Sequence, residues 1–167
     1  MNFEIVENTI PNMKKPTFNV DKILPEKLNE YPLTSTLNKS FILALLGKPA
    51  SGKSSFLISL LQSKNLFKKI FENIIIFIPP NSRNSDNNNF WEKNLPPENI
   101  YDEVTLETLT EAYERCKENA KEGYKSLLVF DDVQKDFKGE CEKLLLDIFN
   151  NRRHVLTSII ICIQSYK

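Results

Sequence analysis

Phe41-Ile42-Leu43-Ala44-Leu45-Leu46-Gly47-Lys48-Pro49-Ala50-Ser51-Gly52-Lys53-Ser54 is the stretch from which the rest of the chain is read. Its apolar half, ended by Gly47, has the pattern of a parallel strand covered on both faces. Its second half fits the spacing G-x-x-x-x-G-K-[ST]. Phe56, Leu57, Leu60 and Leu61 follow at helical spacing, which predicts a helix over about 53–63. A loop of this spacing between a strand and a helix is a phosphate cradle for a physical reason. Gly47 and Gly52 permit backbone angles closed to other residues, so successive N–H groups can turn inward around an anion. Lys53 reaches the β- and γ-phosphates, Ser54 offers its hydroxyl to Mg2+, and the helix N-terminus adds a favourable field. Pro49, which has no N–H, stiffens the loop. Gly47, Lys48, Pro49, Ala50, Ser51, Gly52, Lys53, Ser54 and Ser55 are therefore the expected nucleotide-binding residues, with ATP and Mg2+ as ligands. The plain alternative is a glycine-bearing turn; against it, the chain has only four glycines and two of them stand in this loop.

Outward from the loop, three more apolar runs read as strands: 73–78, stopped by Pro79-Pro80; 125–130; and 158–163. Helical spacing recurs at Leu106, Leu109, Tyr113 and Cys116, opened by Thr105 and closed by Gly123, and again at Cys141, Leu144, Leu145, Ile148 and Phe149. Strands alternating with helices imply right-handed βαβ crossovers and an α/β fold, a parallel sheet between two helical layers. Residues 79–99 hold seven asparagines and four prolines, a composition that predicts a mobile surface loop. Residues 1–40, with Pro11, Pro16, Pro25 and Pro32, read as an extended arm before a domain over 41–167.

The run 127–130 delivers Asp131-Asp132 at its carboxyl end. In a sheet of this kind that end lies beside the phosphate loop, so Asp131 is expected to hold Mg2+ through its water shell. Asp132 is expected to orient or deprotonate the attacking water. Gln164, polar at the end of the last apolar run, reads either as a γ-phosphate sensor or as a strand end reaching solvent. Arg152-Arg153-His154 reads either as a solvated helix terminus or as an arginine finger, with Arg153 the named candidate.

Lys plus Arg equal Asp plus Glu at 22 each, which argues against a basic nucleic-acid coat and leaves any DNA contact local. No apolar run is long enough to span a bilayer, and the first residues lack the pattern of a signal peptide, so a soluble intracellular protein without a membrane partner is expected. Cys116, Cys141 and Cys162 form no C-x-x-C pair and read as buried reduced thiols.

Taken together, Gly47–Ser54, Leu128-Val129-Phe130-Asp131-Asp132-Val133, Arg152-Arg153-His154 and Ile161-Cys162-Ile163-Gln164-Ser165-Tyr166 resemble the poxvirus-type genome-packaging ATPases of large DNA viruses, within the FtsK–HerA superfamily. The resemblance covers about residues 41–167. It implies a three-layer α-β-α P-loop NTPase, RecA/ASCE-like, whose four strands stand in the order 1-4-3-2. It implies Walker A and Walker B roles for Lys53 with Ser54 and for Asp131 with Asp132, a sensor at Gln164, and Arg153 acting in trans. It further implies a homo-oligomeric ring that drives double-stranded DNA into a capsid, with a capsid or portal component as partner, in the host cytoplasm, a virus factory or the virion. Two departures stand out. Asp132 replaces the commoner Glu, and the usual strand after the sensor strand is missing, which would leave 41–46 as an apolar edge and suggests C-terminal truncation. Two other functions fit the same residues: a truncated nucleotide-binding assembly module, and a small-molecule phosphotransferase with the Asn-rich loop as lid. The strand order implied by Gln164 argues against the latter.

Overall fold

The computed structural model describes residues 40–63, 67–84 and 89–164. The expected arm therefore lies outside the described residues, apart from Ser40. Five strands form one sheet: β1 (Ile42–Gly47), β2 (Asn73–Phe77), β3 (Ile100–Tyr101), β4 (Ser126–Asp131) and β5 (Thr157–Gln164). Their order is β1-β5-β4-β2-β3, and every pairing is parallel. The helices are α1 (Lys53–Gln62), α2 (Pro80–Asn84), α3 (Phe90–Asn94), α4 (Leu106–Lys121) and α5 (Gly139–Asn151). The α/β class, the parallel sheet and the two helical layers expected from the sequence are all present.

Alternation along the central strands divides the core in two. Ile75, Phe77, Leu128, Phe130, Ile159 and Ile161 face α4 and α5, whose Leu109, Ala112, Tyr113, Cys116, Leu145 and Ile148 fill that side. The intervening residues Ile76, Leu127, Val129, Ile160 and Cys162 face α1, where Leu57, Ile58, Leu60 and Leu61 pack with Trp91 of α3. The strand period of 2 thus sends neighbouring residues of one run into opposite layers. α4 begins at a capping box, Thr105 with Thr108, and Gly123 follows its end at φ +82°.

Several sequence expectations need correction. The expected order 1-4-3-2 holds for the four long strands, but a short strand, β3, extends the sheet beyond β2. Residues 79–99 are not simply a surface loop, since they contain α2, α3 and a 3-10 turn at Pro97–Asn99. Trp91 there is only 1% exposed, and the Asn99 amide donates to Ile74 O at 2.8 Å and to Asn73 Oδ1 at 3.1 Å. Phe77 stacks on Tyr101 and on Phe130 at 5.0 Å each, so an aromatic ladder holds β3 to the sheet.

Helical spacing and apolar runs did not settle burial at three places, on α1, α4 and β1. Phe56 and Leu106 point outward, at 49% and 47% exposure, while Ile58 and Ala112 take buried places. β1 is not covered on both faces. Its residues alternate between exposed and half-buried, with Leu46 68% exposed, because β5 is its one partner among the described residues. Of the thiols, Cys116 and Cys162 are buried and Cys141 is half-buried.

Candidate functional site

The parallel sheet brings the carboxyl ends of β1, β4 and β5 side by side, where the strand order reverses and α/β proteins bind ligands. Gly47 lies in register with Gln164, and Asp131 with Cys162. Residues far apart in sequence therefore gather around the loop between β1 and α1.

Within that loop the two glycines act differently. Gly52 takes φ +86° and caps α1 with no side-chain hydrogen bond. Gly47 answers to close approach instead of backbone angle, for a Cβ there would stand 2.5 Å from Ser51 Oγ. Ala50, at φ 58°, carries the left-handed backbone that was expected of Gly47. The loop closes on itself through Ser51 N–H to Lys48 O at 3.2 Å. Lys53 Nζ donates to Gly47 O and Lys48 O, each at 3.1 Å, so the ammonium lies across the loop it follows. α1 has no acidic residue in its first turn, so no carboxylate competes for its N-terminal amides. The donor set suits an anion.

Ser54 Oγ donates to Asp131 Oδ2 at 2.8 Å, joining the loop to β4. Asp131 is 2% exposed, and burial pushes its carboxyl above the ordinary carboxylate range; the hydroxyl of Ser54 opposes the shift and the charge of Asp132 adds to it. Burial likewise raises the neighbouring Cys162 thiol, helped by Asp131. Asp132 turns out of the strand with φ 61°. Its Oδ1 accepts from Gln164 Nε2 and its Oδ2 from Ser82 Oγ at 3.2 Å. Among the described residues no cluster of three or more His, Cys, Asp or Glu forms a metal cage. One hydroxyl and one carboxylate beside the β1–α1 loop fit Mg2+, which takes few protein ligands and completes its shell with water and phosphate.

The arginines are elsewhere. Arg152 and Arg153 follow α5 at the amino-terminal end of β5, whereas Gln164 ends that strand. At about 3.3 Å per residue the eight residues of β5 separate them from the site by roughly 23 Å. Arg152 Nη1 caps its own helix through Phe149 O at 2.6 Å, while Arg153 is exposed. The fold thus brings together Lys53, Ser54, Asp131, Asp132 and Gln164 and leaves Arg153 out of reach within one chain. Ser82 and Cys162 were missed by sequence reasoning. The register of β5 with β4 could have signalled Cys162, but no spacing pointed to Ser82.

The sequence matches the protein family described as "Poxvirus A32 protein" over residues 28–167, which reaches further toward the N-terminus than the resemblance drawn from the motifs. No curated protein matches the chain. No helix among the described residues is long and apolar enough to cross a membrane.

Proposed function

The chain belongs to the poxvirus A32 protein family, a family of viral packaging ATPases, and from that premise we propose that it binds and hydrolyses ATP at the β1–α1 loop to drive double-stranded DNA into a capsid. The observation that carries the reading is the junction of three strand ends. Ser54 meets Asp131 at 2.8 Å, and Asp132 beside them is engaged by Gln164. The amides opening α1 and the Lys53 ammonium bind the triphosphate. Ser54 and Asp131 would hold Mg2+, which when bound supplies positive charge against the β- and γ-phosphate oxygens. Asp132 orients a water and takes its proton. The water oxygen bonds to the γ-phosphorus while the bond to the β–γ bridging oxygen breaks, its electron pair leaving with ADP. Gln164, which touches Asp132, reports the presence of the γ-phosphate to β5.

Arg153, exposed at the far end of β5, is the candidate finger for a neighbouring subunit's site in a homo-oligomeric ring. Such a ring would act with a capsid or portal component, in a virus factory or the virion, on the pattern of the FtsK–HerA group. A second reading, a nucleotide-binding assembly module without translocation, is favoured by the apolar edge of β1, a surface suited to pairing with another chain.

Phosphate release with and without duplex DNA, alongside calorimetric titration of ATP, separates the two. Turnover stimulated by DNA supports the motor, and tight binding without turnover supports the module. In the motor, Lys53→Ala lowers turnover by about 10²-fold or more through lost phosphate binding, and Asp132→Asn does so while ATP stays bound. An Asp132→Asn protein that hydrolyses ATP at the parent rate removes Asp132 from the mechanism.

A further inference from the structure

Asp132 is where three elements meet, since it directly follows β4, β5 reaches it through Gln164, and α2 reaches it through Ser82. Its left-handed backbone, φ 61°, is one that L residues adopt when their surroundings hold them there. The two contacts fall on different oxygens, Gln164 on Oδ1 and Ser82 on Oδ2. A carboxylate oxygen has two lone-pair sites, so each oxygen keeps one for water.

The helix that brings Ser82 is itself tied down. Arg83, the next residue, pairs through Nε with Glu92 of α3 at 3.1 Å and through Nη1 with Asp102, just after β3, at 2.9 Å. Trp91, the neighbour of Glu92, is buried in the core. α2 is thus tied through Arg83 to α3 and to the residue after β3, and through Ser82 to Asp132.

We propose that Ser82 is a positioning residue for Asp132. Its hydroxyl aims the carboxylate at the attacking water, and the Arg83 ion pairs set where that hydroxyl sits. The inference rests on the hydrolytic reading above and extends it to the chain between β2 and β3. Without Ser82 the Asp132 carboxylate keeps one anchor and can rotate about its own side-chain bonds. The water is then held at varying angles, and reaction rates are steep in such misalignment.

The test uses steady-state ATP hydrolysis by the full chain with duplex DNA. Ser82→Ala lowers kcat about tenfold, the loss expected of one hydrogen bond to a charged group, while KM and the ATP dissociation constant stay within about twofold. Ser82→Thr keeps the hydroxyl and retains most of the turnover. Arg83→Gln keeps the Ser82 hydroxyl but releases α2, and lowers kcat by a smaller factor, about two- to threefold, in keeping with partly exposed ion pairs. The proposal is overturned if Ser82→Ala turns over at the parent kcat, if its loss is all in KM, or if Ser82→Thr falls as far as Ser82→Ala. Should Ser82→Ala fail to fold, Arg83→Gln decides: reduced kcat at constant KM supports the proposal, and parent kcat overturns it. Asp132→Asn assayed in parallel separates the two levels. An inactive Asp132→Asn beside a fully active Ser82→Ala sinks only the role of Ser82, whereas a fully active Asp132→Asn, or a parent protein without turnover, sinks the hydrolytic reading as well.

Discussion

β4 and β1 look alike in sequence and differ in the fold. Each has six residues, both are nearly all apolar, both pair in parallel with β5, and each hands part of the candidate site over at its carboxyl end. Yet every residue of β4 is buried, while β1 alternates between exposed and half-buried. β4 lies between β5 and β2 with helices on both faces; β1 has one strand neighbour among the described residues. An apolar run therefore announces a strand of a parallel sheet without saying how far from the edge it stands. The difference also places Asp131, at the end of β4, in the driest part of the sheet and the β1–α1 loop on its most open strand.

The largest effect that would sharpen this contrast is in the core. Phe130 is fully buried, stacked on Phe77 at 5.0 Å and edge-on to Phe137 at 5.5 Å. Phe130→Ala should cost about 3–5 kcal/mol of unfolding free energy in denaturant titration. A loss below about 1 kcal/mol would mean that β4 is less tightly enclosed than its burial indicates.

An intermediate effect comes from the carboxyl end of the same strand. Burial raises the Asp131 carboxyl above the value of about 3.9 that it has in the unfolded chain. Between those two values the folded state binds more protons than the unfolded state, so stability falls as pH rises through that window, and the cost is complete once both forms are ionised. Asp131→Asn should remove that fall. With chelator present, denaturant midpoints at pH 4 and pH 7 should move in favour of the variant on going to pH 7. A shift in favour of the parent would show that Ser54 and Lys53 outweigh burial.

The smallest effect belongs to β1. Leu46→Ser, on a side chain 68% exposed, should change stability by no more than about 0.5 kcal/mol. A cost above about 2 kcal/mol would break the comparison, because it would mean that this edge is covered in solution.

Much of the architecture was legible in the chain, and the reason is visible element by element. The runs around 41–46, 73–78, 125–130 and 158–163 became β1, β2, β4 and β5 to within two residues at either end. Thr105 caps α4 as its position before Leu106 implied. The segment between β2 and β3 was not legible, because its asparagines and prolines have the composition of solvent-facing loops. In the fold Asn99 spends its amide on the sheet, and the single Trp of the chain, Trp91, anchors α3. A lone Trp inside a polar segment was the signal available. In the candidate site, Ser54, Asp131, Asp132 and Gln164 come together as the reading of the loop and the strand ends anticipated. Ser82 could not be found that way, since it reaches Asp132 across 50 residues of sequence.

The amino-acid sequence alone determined the glycine spacing of the loop between β1 and α1, the strand and helix periodicities and the acidic pair at a strand end, because backbone angles and side-chain alternation are settled among residues a few positions apart. Tertiary structure alone decided that a short fifth strand extends the sheet beyond β2, that Arg153 stands at the opposite end of β5 from its own chain's candidate site, and that Ser82 and Gln164 take opposite oxygens of Asp132. Those relations depend on which strands lie side by side, and that is chosen by the packing of both core layers together, beyond what any single segment encodes.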